Sequence, residues 1–84
     1  MKKIFKYVLT DDSCLFPINA KPLCVQLQNG RPTVWAEVDP EDPDKRNKRF
    51  FIIGTGHEIP FLNLEYVGTF QQEPFVWHVY VEAE

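Results

Sequence analysis

Apolar and polar residues alternate with a period of two along most of this chain, which is the spacing of half-buried β-strands rather than of helices. Residues 4–10 follow it, are rich in β-branched and aromatic types, and place Phe5, Tyr7 and Leu9 on one side. Asp11-Asp12-Ser13 then supplies turn chemistry. Residues 14–18 are a short apolar piece broken by Pro17, whose missing N–H restricts it to an edge strand or a bulged extension.

The clearest predicted element is a hairpin. Residues 23–28 and 31–38 flank Asn29-Gly30, the dipeptide best suited to the two positive φ angles of a type I′ turn. A two-residue turn there sets Gln28 opposite Arg31, Leu27 opposite Pro32, Val25 opposite Val34 and Leu23 opposite Ala36. One face then carries Leu23, Val25, Leu27, Val34, Ala36 and Val38, all apolar. The other carries Cys24, Gln26, Gln28, Thr33, Trp35 and Glu37. Residues 39–47 hold two prolines and six charges, which predicts a solvated loop.

Residues 50–53 are apolar on both faces, as in a central strand covered on both sides, and Gly54-Thr55-Gly56 ends them. Residues 65–71 and 75–82 predict a second hairpin around Gln72-Glu73-Pro74. Pairing Phe70 with Phe75 sets Trp77 over Gly68 and Val79 opposite Tyr66, and a ring over glycine shores up a weak strand position. Residues 59–64 allow at most one short helical turn. The pattern predicts a mainly β protein, either a small antiparallel barrel or a two-layer sandwich of about six strands.

Length makes this a single domain over residues 1–84. A core this small needs bulky side chains, and the chain has seven Phe, three Tyr and two Trp. A net charge of −3 lacks the basic excess that a general duplex-DNA binder uses to replace counterions, so nucleic acid is not the expected partner. No apolar run approaches the roughly 20 residues of a membrane span. Met1-Lys2-Lys3 leads straight into a strand pattern, so a cytoplasmic location is expected. Cys14 and Cys24 could close one short loop, but two thiols without an export signal are expected to be reduced.

Gly54-Thr55-Gly56-His57 follows the central strand, where backbone amides can form an anion-binding nest, with Lys48 and Arg49 nearby to add charge. It lacks the lysine of a P-loop and the third glycine of a dinucleotide fingerprint, and a plain turn explains the same glycines. His57, His78 and the two cysteines show none of the close pairings of zinc sites, and the acidic loop lacks the spacing of a calcium loop. No nucleophile has a marked base or oxyanion hole, so neither an enzyme nor a cofactor or metal is expected. Lys45-Arg46-Asn47-Lys48-Arg49 beside Phe50-Phe51 has the basic and aromatic character of a single-strand grip, but the adjoining loop is acidic, and a charged strand start with both rings in the core is the expected reading. Trp35, on the polar face of the first hairpin, is an interface anchor if it is exposed and a core residue if another strand covers it.

Several motifs together carry a family resemblance: Leu23-Cys24-Val25-Gln26-Leu27-Gln28-Asn29-Gly30, Trp35-Ala36-Glu37-Val38-Asp39-Pro40, Arg49-Phe50, Gly54-Thr55-Gly56-His57-Glu58-Ile59-Pro60, Leu64-Glu65-Tyr66-Val67-Gly68-Thr69-Phe70-Gln71 and Phe75-Val76-Trp77-His78-Val79. They resemble a family of small bacteriophage and prophage proteins of unknown function, over residues 4–81. The chain departs from that pattern at residues 13–19, where such proteins have a more regular acidic-then-proline segment. The resemblance implies an accessory protein in a host cytoplasm, without catalytic residues, that binds host machinery, a host defence protein or itself. The alternative expectation is a small anionic or nucleotide ligand at Gly54, Thr55, Gly56 and His57.

Overall fold

Period-two alternation is realised as strands, and no helix forms among the described residues, hence none long and apolar enough to cross a membrane. The computed structural model describes residues 1–10, 15–60 and 63–83. Its seven strands are β1 (Lys3–Val8), β2 (Leu15–Pro17), β3 (Lys21–Gln28), β4 (Arg31–Val38), β5 (Asn47–Gly54), β6 (Leu64–Gln72) and β7 (Phe75–Glu82). They form a three-stranded sheet in the order β1-β4-β3 and a four-stranded sheet in the order β2-β5-β7-β6, with every pair antiparallel. The sheets face each other without closing into a barrel, so the sandwich is the correct one of the two predicted architectures.

The core is the set of inward-facing residues that this pairing selects. Val25, Val34, Ala36 and Val38 come from the three-stranded sheet, and Phe16, Phe50, Phe70, Val79 and Val81 from the four-stranded one. Burying each of the larger side chains contributes about 1.5–3 kcal/mol. A line of rings ties the sheets together: Tyr7 stacks on Phe16 with centroids 5.3 Å apart, and Phe16 meets Phe50 edge-on at 4.4 Å. Burial there raises the Tyr7 phenol above its ordinary pKa.

The first hairpin keeps the register that Asn29-Gly30 dictates from Gln28↔Arg31 to Val25↔Val34, with both turn residues at positive φ. It then slips. Pro22, not Leu23, lies opposite Ala36, because a β-bulge falls between Pro22 and Cys24, directly after a residue with no N–H for the ladder. Leu23 and Leu27, expected on the apolar face, are exposed on this edge strand. Thr33, expected on the polar face, is fully buried, and its hydroxyl donates to the Arg31 carbonyl at 3.0 Å. Above it, the Lys6 ammonium reaches across β4 to Gln28 Oε1 at 2.8 Å.

In the second hairpin the expected pairs are displaced. The turn holds only Glu73 and Pro74, so Gln72 pairs with Phe75 and Phe70 with Trp77. A bulge between Tyr66 and Gly68 then sets Gly68 opposite Val79 and Tyr66 opposite Tyr80. The ring over glycine does exist, at another position. Gly54 pairs with Trp77, and a Cβ built on Gly54 would lie 3.1 Å from that indole. β2 is an edge strand and β5 is central between β2 and β7, as expected, but β5 is covered by the other sheet on one face only, and Phe51 lies half-buried on the side away from the core. The charged stretch at residues 47–49 already belongs to β5, and Leu64 already opens β6 where a helical turn was allowed.

Candidate functional site

Along β5, Phe50 and Ile52 pair with the buried Val81 and Val79 and face the core, so Arg49, Phe51 and Ile53 face outward. The same alternation turns Tyr80 and His78 of β7 and Tyr66 and Thr69 of β6 to that outer face. Phe51, Tyr80 and Tyr66 stand directly opposite one another on three successive strands and form an aromatic row across the sheet. Tyr66 and Tyr80 meet edge-on with centroids 5.6 Å apart. Tyr66 is 58% exposed, and Leu15, opposite Arg49 on β2, is 53% exposed. The Arg49 guanidinium lies over the Phe51 ring at 5.5 Å and within 3.6 Å of the Glu82 carboxylate. This ion pair is too exposed to add more than about 1 kcal/mol, but it flattens the arginine against the aromatic row.

Beside the row runs a chain of polar groups. Thr55 Oγ1 donates to the Val76 carbonyl at 3.3 Å and therefore accepts from His78 Nε2 at 2.8 Å. His78 Nδ1 contacts Thr69 Oγ1 at 3.1 Å, and Thr69 Oγ1 contacts the Tyr66 hydroxyl. Both ring nitrogens of His78 are therefore engaged by threonines, and its imidazole is a structural strut joining the loop after β5 to β6 and β7.

Of the residues singled out from sequence, the structure brings some together and separates others. Gly54 is buried and closed in by the His57 and Trp77 rings, and Gly56 has φ +90°, so each glycine has a steric reason to be there. Two amides of the expected nest already donate inward, Thr55 N to the Val76 carbonyl and His57 N to the Gly54 carbonyl. Arg49 and His57 do share one shallow groove on the outer face, of about 460 Å³, with Phe51 and Pro60. Lys48 is on the opposite face of β5, its ammonium 5.5 Å above the Phe16 ring, and takes no part in that groove. The basic run at residues 45–49 is thus divided between the two faces of a strand and a loop. Trp35 is half-buried in the middle of the other sheet's outer face, between Lys6 and Cys24 on the flanking strands. Cys24 carries a free, half-buried thiol, and Cys14 lies outside the described residues.

One site had no counterpart in the sequence reading. A cleft of about 470 Å³ opens between β1 and the loop at residues 39–46, with Phe5, Tyr7, Pro17 and Ala20 supplying apolar walls. The loop is rigidified by its own carboxylates: Asp39, Asp42 and Asp44 each accept from the amide two residues on, at 3.0, 2.8 and 3.1 Å. Arg46 also grips Asp44 through Nε at 3.0 Å and Nη2 at 2.8 Å, and these hydrogen bonds hold the Asp44 carboxyl down to a pKa of about 2. The Asn19 side chain donates to Asp42 at 2.9 Å and lowers that carboxyl too. The aspartate spacing that builds these turns was the available signal. Among the described residues no three His, Cys, Asp or Glu side chains gather as a metal site.

A family described as a domain of unknown function (DUF7352) matches residues 1–84, and the chain belongs to it. No curated protein and no solved structure matches the chain.

Proposed function

We propose that this member of the DUF7352 family is a non-enzymatic binding module, a bacteriophage-type accessory protein that grips a host protein in the host cytoplasm with the outer face of its four-stranded sheet. The observation that carries the reading is the row Phe51–Tyr80–Tyr66, an aromatic strip on the solvent side of a sheet whose other side already makes the core. Monomeric proteins seldom leave contiguous aromatic surface in water without a partner for it, and tyrosine with arginine is the pairing enriched at binding hot spots. A catalytic role draws no support from His78, whose two nitrogens are both engaged by threonines. The phage context rests on the motif resemblance alone.

Affinity capture from bacterial lysate with the wild-type protein and with Tyr66→Glu tests the reading. A partner retained by the wild type and lost by the variant supports it. The same partner on both proteins assigns binding to another surface.

A small-anion site at Gly54–His57 has one observation in its favour, the groove shared by Arg49 and His57. We favour the protein partner because Arg49 is already beside Glu82 and two of the loop amides are spent internally. A thermal-shift panel of inorganic phosphate and nucleotides is expected to be flat. A ligand present at 100 times its Kd would instead stabilise the fold by about 2.7 kcal/mol.

A further inference from the structure

We infer that the outer face of the three-stranded sheet binds single-stranded nucleic acid, with a base stacked on Trp35 and phosphates held by the cations around it. Side-chain alternation decides which residues that face carries. Val34, Ala36 and Val38 of β4 point into the core, so Arg31, Trp35 and Glu37 point out. The register then sets Lys6 of β1 and Cys24 of β3 beside Trp35, Lys21 beside Glu37, and Gln28 beside Arg31.

The charge on this face is opposite to that of the whole chain. Lys2, Lys6, Lys21 and Arg31 share it with a single carboxylate, Glu37, which Lys2 already pairs with at 3.2 Å. Asp39, just past the end of β4, lies 3.8 Å from the N-terminal ammonium and does not offset them. Lys6, Lys21 and Arg31 are exposed and form no ion pair among the described residues. Gln28 accepts from Lys6 at 2.8 Å, but a neutral amide leaves the ammonium its charge and its remaining donors. That contact carries the Lys6 charge across β4 toward Arg31, the partner of Gln28. A net charge of −3 thus conceals a face with an excess of cations.

The cations select a polyanion, and Trp35 selects its kind. Half-buried at the centre of the face, Trp35 keeps open surface on which a base can stack. Gln26 and Gln28 on the neighbouring strand offer donors and acceptors to base edges. Stacking requires unpaired bases, so the single strand fits this face and the duplex does not. From Glu37 to Arg31 the face runs about 20 Å, enough for several nucleotides. An acidic protein segment would satisfy the cations but bring no ring to the indole.

The test is fluorescence anisotropy of a labelled oligothymidylate of about twelve nucleotides, titrated with the intact protein. Affinity is expected to fall with salt at a logarithmic slope of about −2, the value for three cations releasing counterions from a single strand. Lys21→Gln/Arg31→Gln should weaken binding by about tenfold and flatten the slope to about −0.7. An abasic oligomer of the same length keeps every phosphate and should bind about tenfold more weakly or worse. In ¹⁵N spectra the Trp35 indole N–H should shift on binding, and that of Trp77, on the other sheet, should not. Tyr66→Glu, on the face assigned to the main partner, should change none of this, so the two readings fail separately. Equal affinity for the abasic oligomer, for a duplex or for a glutamate peptide of the same length would overturn the inference. So would an absence of binding at about 50 mM salt.

Discussion

Gly68 of β6 lies against Val25 of β3 with no space between them, since a Cβ built on Gly68 would stand 2.6 Å from Val25 Cγ1. This contact closes one side of the sandwich, and only a glycine allows it. Gly68→Ala is expected to cost about 1–3 kcal/mol by overpacking. Adding Val25→Ala should recover part of that loss, because residues in contact couple. Urea unfolding of the wild type, both single variants and the double variant measures the effect. A Gly68→Ala protein as stable as the wild type would contradict the geometry.

Phe16 is fully buried although it belongs to an edge strand of three residues. Such a strand has little ladder of its own, so the ring held between Tyr7 and Phe50 is what docks it. Phe16→Ala should cost about 3–5 kcal/mol, a large share of the stability of a small domain. Chemical denaturation gives the value, and a loss under 1 kcal/mol would mean that β2 is held by something else.

The hydroxyl of Thr55 is committed to the Val76 carbonyl, so the proton between Thr55 and His78 belongs to the histidine. Neutral His78 should therefore be the Nε2–H tautomer, with Nδ1 accepting from Thr69. Long-range ¹H–¹⁵N correlation spectra at pH above 8 distinguish the tautomers directly. Thr55→Val should remove the preference, whereas a dominant Nδ1–H form in the wild type would break the proposed direction of the chain.

The Asp44 carboxyl is held at about 2 against an ordinary 3.8 by the Arg46 guanidinium and amide. A lowered carboxylate pKa stabilises the folded loop fully above about pH 4, and that contribution disappears as pH falls through about 2. Carboxyl ¹³C shifts should show Asp44 titrating near pH 2, with the Arg46 amide losing exchange protection in the same range. Asp44→Ala, which leaves no side-chain acceptor, should expose the Arg46 amide already at neutral pH.

Local chemistry made much of this fold legible. Asn29-Gly30 admits one turn type, so the pairing of Val25 with Val34 followed from two residues. Pro17 confined β2 to an edge, and the doubly apolar stretch at residues 50–53 belonged in the middle of a sheet. Bulges escaped that reasoning. Each inserts one residue, at Leu23 and at Val67, and every pairing beyond it shifts, so a register extrapolated from a turn holds only up to the next irregularity. The aromatic row was hidden by two shifts: the two-residue turn at Glu73-Pro74 displaced the register of the second hairpin, and the bulge at Val67 then set Tyr66 opposite Tyr80. The cleft joins residues from Lys2 to Asn47, an adjacency made by tertiary structure alone.

Replacing Tyr66, and in a second protein Trp35, with the photo-crosslinker p-benzoylphenylalanine separates the two outer faces of the sandwich in living bacteria. A discrete adduct with another protein is expected from position 66 and none from position 35. Adducts from position 35 alone, or from neither position, would contradict it.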